Sequence, residues 1–373
     1  MVRALGLRRR DYLLSAGRGG PHLRRRRGAG LPGNPLSRGA ARPLRSADRG
    51  HCAFARVRPV LRALALVLAL VLGVAAAPVL AQSDRVAQEW DKWLKAQGNP
   101  PGALVFLIGD SLLLGQDSGF DPDLAVPIAS LSKGITGLCA QALVDEGLMA
   151  WDDLLNRWIE GGGTITLAQL VTHTSGLWPD ETQGAMALWR GDTTRRWQEV
   201  TANALDRDRQ GGRRGSYRYN NENYAILGLV IEEVAGEWYD KACASRVLEP
   251  LGITTARLSP EYGGYGPWGG WQMSVRDYAR LMRGGFATMD PRDTPSASLG
   301  GGAFYGLGML FRTGRDTANH WHFGALCFED AGLGAFAVNW AGKYTVVAAY
   351  GACVDGKAMA GLDAALARAV FAD

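Results

Sequence analysis

The sequence predicts an α+β fold: an antiparallel β-sheet flanked by terminal helices, with a mainly helical lobe inserted between its strands. Three observations carry this expectation. Strand-like apolar runs stand near both ends of the body, a long block of helix-period segments separates them, and amphipathic helices close each end. The turns between strands are of hairpin length, which suits antiparallel pairs.

Taken in order, Ser83 caps a helix from Asp84 to Ala96 with Trp90, Trp93 and Leu94 on its apolar face. Asn99-Pro100-Pro101-Gly102 ends it. Ala103 to Ile108 and Ser111 to Leu114, joined by Gly109-Asp110, read as a β-hairpin. A loop from Ser118 to Val126 leads to helical patterns at Leu131–Glu146, Asp152–Ile159, Leu167–Thr172, Thr194–Asp206, Asn223–Val234 and Trp238–Leu248. Glycines at 147, 161–163, 176 and 211–212 punctuate them. Ser274 and Asp277 open a helix over Val275–Met282 in a capping-box arrangement. After a Gly/Pro/Ser loop at 284–302 come strands at Phe304–Arg312, Gly332–Trp340 and Tyr344–Tyr350, then a helix at Ala358–Phe371.

Charge divides the chain. Residues 1–81 hold 16 of the 41 Lys/Arg and 2 of the 36 Asp/Glu, so 82–373 keeps 25 basic and 34 acidic residues, a net charge of −9. An acidic body gives no support for nucleic-acid binding. Arg56, Arg58 and Arg62 precede an apolar run from Ala63 to Ala77 and a small-residue site ending at Ala81. That is the layout of a signal peptide, and the run falls short of the roughly 20 residues a membrane span needs. Some 55 residues ahead of it, rich in Arg, Gly and Pro, point to a natural start further downstream, for instance at Val57. The expected organisation is an Arg-rich leader and signal peptide over 1–81 and one body over 82–373. Within the body, 82–128 and 268–373 form the α/β part and 129–267 the helical lobe. The mature protein is then periplasmic or secreted, with no stable membrane span.

Export makes the four cysteines of the body relevant to disulfide chemistry. Cys327 and Cys353 lie on neighbouring segments and could pair, while Cys139 and Cys243 read as buried free thiols; the sequence leaves the connectivity open. His173, His320 and His322 show no zinc-like clustering, and no cofactor is expected.

Ser130 and Lys133 lie three residues apart where a helix should begin, so their side chains share one face. A helix N-terminus favours a developing oxyanion, and a desolvated neutral lysine can take the serine proton. The bland alternative is a Ser N-cap on a solvated helix. Tyr219-Asn220-Asn221 precedes the helix near Asn223. A tyrosine there could relay a proton if a nearby ammonium lowered its pKa, and the Asn221 amide suits a substrate carbonyl or Lys133. In His322-Phe323-Gly324, glycine permits close backbone approach, His322 suits a carboxylate or carbonyl, and the N–H of Ala325 could face that of Ser130 across an oxyanion. The chain contains one Ser-x-x-Lys, one Tyr-x-Asn and one (Lys/His)-x-Gly, in that order.

With these three motifs the chain resembles the serine β-lactamase and penicillin-binding-protein superfamily, specifically its class C-like branch. Leu170 to Leu177 (LVTHTSGL) is similar to the family's LLTHTSGL, and Tyr219 to Gly228 to its YSNxNYxLLG. Gly269 to Leu281 resembles its Gly-rich turn and Ser-x-x-Asp helix, and Tyr305-Gly306-Leu307-Gly308 its YGLGW strand. The resemblance spans nearly all of 100–370. It implies a β-lactamase/transpeptidase-like fold with Ser130 as acylated nucleophile, Lys133 as base and Tyr219 as proton relay. Asn221, His322 and Gly324 would bind substrate, Ser130 and Ala325 would supply the oxyanion hole, and no metal is required. His173 falls in a segment read as structural. The departures are His322 where β-lactamases usually carry lysine, Arg213, Arg214 and Arg218 in the Tyr219 loop, and a short stretch before the third motif. Each weakens the case for efficient β-lactam hydrolysis.

The expected function is therefore that of an exported serine hydrolase acting on an amide, ester or β-lactam, with D-Ala carboxypeptidase, peptidase or esterase action slightly favoured. The partner is a small-molecule or peptide substrate, such as a peptidoglycan-like peptide. Alternatives are a true β-lactamase, an acyl transferase, and a non-catalytic envelope protein that binds cell-wall peptides. Trp178, Trp189, Trp268 and Trp271 are expected in the core or at a lobe interface rather than lining a cleft.

Overall fold

The computed structural model describes residues 80–206 and 212–372. The leader and all but the last residues of the signal-peptide segment lie outside this range. Among the described residues no helix is long and apolar enough to cross a membrane.

Helix α1 covers residues 80–96. Ser83 is buried inside it and is not its cap. The extra turn is tied down from the far end of the chain: Gln82 donates to the Val370 carbonyl and Arg85 to that of Ala369 at 3.1 Å.

The strands are β1 (Gly102–Ile108), β2 (Ser111–Ser118), β3 (Val126–Pro127), β4 (Arg257–Leu258), β5 (Trp271–Met273) and β6 (Ala297–Gly300). Then come β7 (Ala303–Gly306), β8 (Met309–Thr313), β9 (Ala318–Cys327), β10 (Gly332–Trp340) and β11 (Tyr344–Tyr350). Eight of them form one sheet in the order β2-β1-β11-β10-β9-β8-β7-β6. Every neighbouring pair is antiparallel. A small sheet, β3-β5-β4, stands apart.

The remaining helices are α2 (Ser132–Asp145), α3 (Leu167–Val171), α4 (Thr182–Ala185), α5 (Trp197–Asp206) and α6 (Asn221–Ala235). They are followed by α7 (Tyr239–Cys243), α8 (Gly266–Gly269), α9 (Val275–Leu281) and α10 (Gly356–Phe371). The large sheet is buried on both faces. Leu104, Phe106, Phe336, Val338, Val346 and Ala348 pack with α1 and α10. Their neighbours Ala103, Val105, Ala335, Ala337, Val347 and Ala349 join the larger core shared with α2, α6 and α9. Double burial is why β1, β10 and β11 read as continuous apolar runs.

Several elements differ from expectation: the loop expected over 284–302 contains β6, and the strand expected over Phe304–Arg312 is the β7–β8 hairpin. Residues 152–159 hold only a single 3₁₀ turn, Leu155–Arg157, because Leu155 N–H donates across to Ile165 at 2.7 Å. The helix over 238–248 changes from α7 to a π-turn at Ala244–Leu248. Strand β9 is ten residues long and carries His322-Phe323-Gly324, a motif expected on a strand, although the sequence does not mark out its bounds. Its buried positions alternate correctly but are His320, His322, Gly324 and Leu326, so three of the four lack the apolar side chain by which a strand face is recognised.

Cys139 on α2 and Cys243 on α7 are joined in a disulfide, with Cα atoms 5.1 Å apart, so they are not free thiols. The packing of α2 beside α7 brings the two buried side chains together. The second bridge, Cys327–Cys353, ties the end of β9 to the segment after β11. The first encloses 104 residues of chain. Replacing both Cys139 and Cys243 by alanine should lower the unfolding free energy by about 2–4 kcal/mol in denaturant titration. Loss below about 0.5 kcal/mol would show that the crosslink contributes little.

Candidate active site

The small sheet delivers the serine. β3 pairs with β5 through Val126–Met273 and Pro127–Gln272, and Ile128 N–H donates to Trp271 O at 3.0 Å. The chain then turns at Ala129 with φ of +47°, a strained value for a residue with a Cβ. A 3₁₀ turn, Ala129–Leu131, presents Ser130 half-exposed immediately before α2. No side chain caps α2, which removes the bland reading of Ser130 as a cap. The turn is fixed from behind: Tyr278 donates its hydroxyl to Leu131 O at 2.9 Å, and Trp271 N–H donates to Ser132 Oγ at 3.1 Å.

Lys133 is fully buried one turn further on. Its Nζ donates to Ser130 Oγ at 3.2 Å and to the Trp268 carbonyl at 2.7 Å, and lies 4.8 Å from the centre of the Tyr219 ring. Burial lowers its pKa to about 7, against a smaller opposing pull from Asp180. Near neutral pH a large fraction of this amine is unprotonated, so it can accept a proton from the adjacent hydroxyl.

The Tyr219 hydroxyl lies near Ser130. Burial raises its pKa above the ordinary phenol value, only partly opposed by Ser130. The expected lowering by an ammonium does not occur, because the same dry setting that encloses Tyr219 disfavours charge on Lys133. At neutral pH Tyr219 is a phenol, able to donate and accept at once.

His173 supports Tyr219 from below, its ring centre 4.5 Å away. It adopts φ of +57°, and its Nδ1 accepts the Asn220 N–H at 3.3 Å. Burial first, then Lys133 and His322, hold its pKa well below 6.5. These contacts are those of a buried scaffold residue.

Asn221 begins α6 beside this group. Its N–H donates to Asp180 at 3.0 Å and its Nδ2 to Thr182 Oγ1 at 3.0 Å, so the amide donor serves the 180–182 turn rather than Lys133. Among the described residues its Oδ1 has no hydrogen-bond partner. Asp180, Glu181 and Thr182 are the part that sequence reasoning missed. The available signal was the spacing in Asp180-Glu181-Thr182, where the Asp180 carboxylate accepts from the Thr182 N–H and hydroxyl at 3.0 and 2.7 Å.

Strand β9 forms the opposite wall. His322 is buried with its ring 6.3 Å from that of Tyr219. Burial, then Lys133, pushes its pKa down to about 3, so it is neutral. Gly324 meets the serine turn backbone to backbone: a Cβ on it would lie 2.6 Å from Ser130 N and 2.9 Å from Ile128 O. The close approach that requires glycine is thus to the chain's own turn. Ala325 follows on the same strand. Ser130, Lys133, Tyr219, His322 and Gly324 therefore converge, with Asn221 joined to them through the Asp180 turn.

Trp268 and Trp271 are buried, as expected of core residues, but the Trp268 carbonyl has the added task of holding Lys133. Trp178 lies under the Arg218 guanidinium at 4.4 Å, and Trp189 packs near Tyr265 at 6.4 Å. Tyr305, buried between His173 and His322 at 4.8 and 6.0 Å, completes the aromatic bed.

Known structures share the fold. The chain resembles a β-lactamase/D-alanine carboxypeptidase from Pseudomonas syringae with a TM-score of 0.64 and 14% identity, over 79% of this chain and 99% of that one. A D-stereospecific amidohydrolase from Streptomyces superposes with a TM-score of 0.62 and 20% identity, over 78% and 98%. In sequence it is 29% identical over 143 residues to penicillin-binding protein 4* of Bacillus subtilis, covering 36% of this chain and 32% of the relative. The chain thus spans about a third of the length of the curated relatives it matches. A model of the Beta-lactamase family matches residues 84–355, most of the described chain, and the protein belongs to that family.

Proposed function

We propose that this protein is an exported serine hydrolase that acts through a Ser130 acyl-enzyme on amides or esters of small or D-amino-acid-type substrates. The observation that carries the reading is the 3.2 Å contact between Ser130 Oγ and the buried Lys133 amine. As Oγ attacks the substrate carbonyl carbon, Lys133 takes the hydroxyl proton. The carbonyl oxygen becomes an oxyanion that accepts N–H bonds from Ser130 and Ala325. Tyr219, beside Lys133, gives its proton to the leaving nitrogen or oxygen and is reprotonated from Lys133. Water then attacks the ester carbonyl, its proton passes to the same pair, and Ser130 Oγ leaves with a proton restored. Asn221 Oδ1, which has no partner among the described residues, suits a substrate amide N–H.

Neutral His322 favours this reading over efficient β-lactam turnover, because it offers a hydrogen bond but no fixed positive charge for a carboxylate. The signal-peptide pattern and two disulfides support export.

The test is hydrolysis of a panel of D-amino-acid amides, D-Ala-D-Ala peptides, short-chain esters and penicillins by the purified protein. Amide or ester turnover exceeding penicillin turnover is expected; preferential penicillin hydrolysis would make it a β-lactamase. The Gly324→Ala variant should stay folded with a lowered Tm and lose about 100-fold in kcat/KM, since its Cβ displaces the serine turn by the 1 Å scale to which chemistry is sensitive. Unimpaired turnover would mean that the turn need not seat on β9.

A further inference from the structure

Strand β9 pairs with β8 only through residues 318–321. Beyond Trp321 no strand among the described residues pairs with its β8-side edge, while the Ser130 turn packs over its face at Gly324. Every neighbouring pair in this sheet is antiparallel. A substrate chain laid along that edge in the same sense would run its acyl portion toward Phe328 and its leaving group toward His322.

The acyl direction leads to the β9–β10 turn. There, Phe328 stacks on Tyr262 with ring centres 6.0 Å apart and an interplanar angle of 6°. The Arg190 guanidinium lies 5.5 Å from the Phe328 ring. It also donates to Asp330 of the turn and to Glu261 of the facing loop, each at 2.5 Å. Gly191 N–H, the next donor along, bonds the Glu261 carbonyl at 2.8 Å. The Cys327–Cys353 bridge anchors the base of the same turn. One arginine therefore fastens the turn to segments 186–192 and 259–265 of the helical part, three residues past the proposed oxyanion donor Ala325. Three residues of strand are about 10 Å, room for one or two substrate residues.

We propose that Arg190 is a specificity-determining residue that closes the acyl end of the cleft and limits substrates to short acyl groups. This rests on the functional reading above. Its role is positional: Arg190 holds Phe328 and Asp330 across the path and takes no part in bond making. Both partners matter, since the arginine bridges two separate segments and keeps only its ring contact with Phe328 on the turn if Asp330 is removed.

The test uses the full protein with esters that share one leaving group and carry acyl parts of one, two and four residues. Native protein should lose about tenfold or more in kcat/KM between two and four residues. Arg190→Ala should flatten that profile by at least fivefold while one-residue turnover stays near native, and Arg190→Lys, with one nitrogen for two carboxylates, should restore only part of it. Asp330→Ala, in an exposed turn position, should shift the profile in the same direction even if Arg190→Ala folds poorly. Identical length profiles in native, Arg190→Ala and Asp330→Ala proteins, with one-residue turnover intact, would overturn the proposal. Absence of Ser130-dependent turnover even for the one-residue ester would overturn the functional reading, and this inference with it.

Discussion

Replacing Ser130 by alanine should lower kcat/KM by about 10⁴-fold or more, leaving the fold and Tm unchanged. Only one oxygen is removed, from a half-exposed side chain whose polar neighbours are Lys133 and Tyr219. Lys133 keeps its Trp268 carbonyl partner, so no buried amine is stranded. The backbone N–H of the oxyanion site also remains. What disappears is the atom that forms the covalent bond. A residual rate within tenfold of native would mean that water or another group attacks directly.

Replacing Lys133 by methionine should act in opposite directions on activity and stability. Without the amine, no base stands beside Ser130 Oγ, and turnover should fall by about 10³-fold or more. In the native protein, activity should decline as pH falls below about 7, where the amine becomes protonated and can no longer accept. Stability follows the linkage. The unfolded lysine binds its proton up to about pH 10.4, while the folded one releases it near 7, so stability rises with pH across that window. At or below pH 7 the buried amine carries the full penalty, roughly 4–5 kcal/mol. Methionine removes it but leaves the Trp268 carbonyl without its donor, a loss of about 1–2 kcal/mol. The variant should therefore be more stable at pH 6–7, with the gain shrinking toward pH 10. Equal stability at both pH values would show that Lys133 is charged in the folded protein. Such an opposition between stability and activity is common at functional sites.

Much of this site can be read from the chain, because Ser130-x-x-Lys133 is a local pattern. One helical turn sets the geometry, whatever the rest of the protein does. The sheet reads well where both faces are apolar, as in β10 and β11. β9 is legible only as the strand that carries His322 and Gly324, and its bounds are not, because its inward positions hold His320, His322 and Gly324 rather than apolar side chains. Sequence also gives no view of burial. The directions of the Tyr219 and His322 pKa shifts follow from desolvation, which depends on residues as distant as Tyr305 and Trp268. The Cys139–Cys243 bridge depends likewise on how α2 meets α7, a tertiary contact that no spacing encodes.

The most direct test of the central claim is the intact mass of the protein over time after mixing with a slowly hydrolysed activated ester or a penicillin, followed by peptide mapping. A single adduct on the peptide containing Ser130, absent in Ser130→Ala and formed more slowly below pH 7, is the predicted result. An adduct on another residue, or one that forms equally in Ser130→Ala, would contradict it.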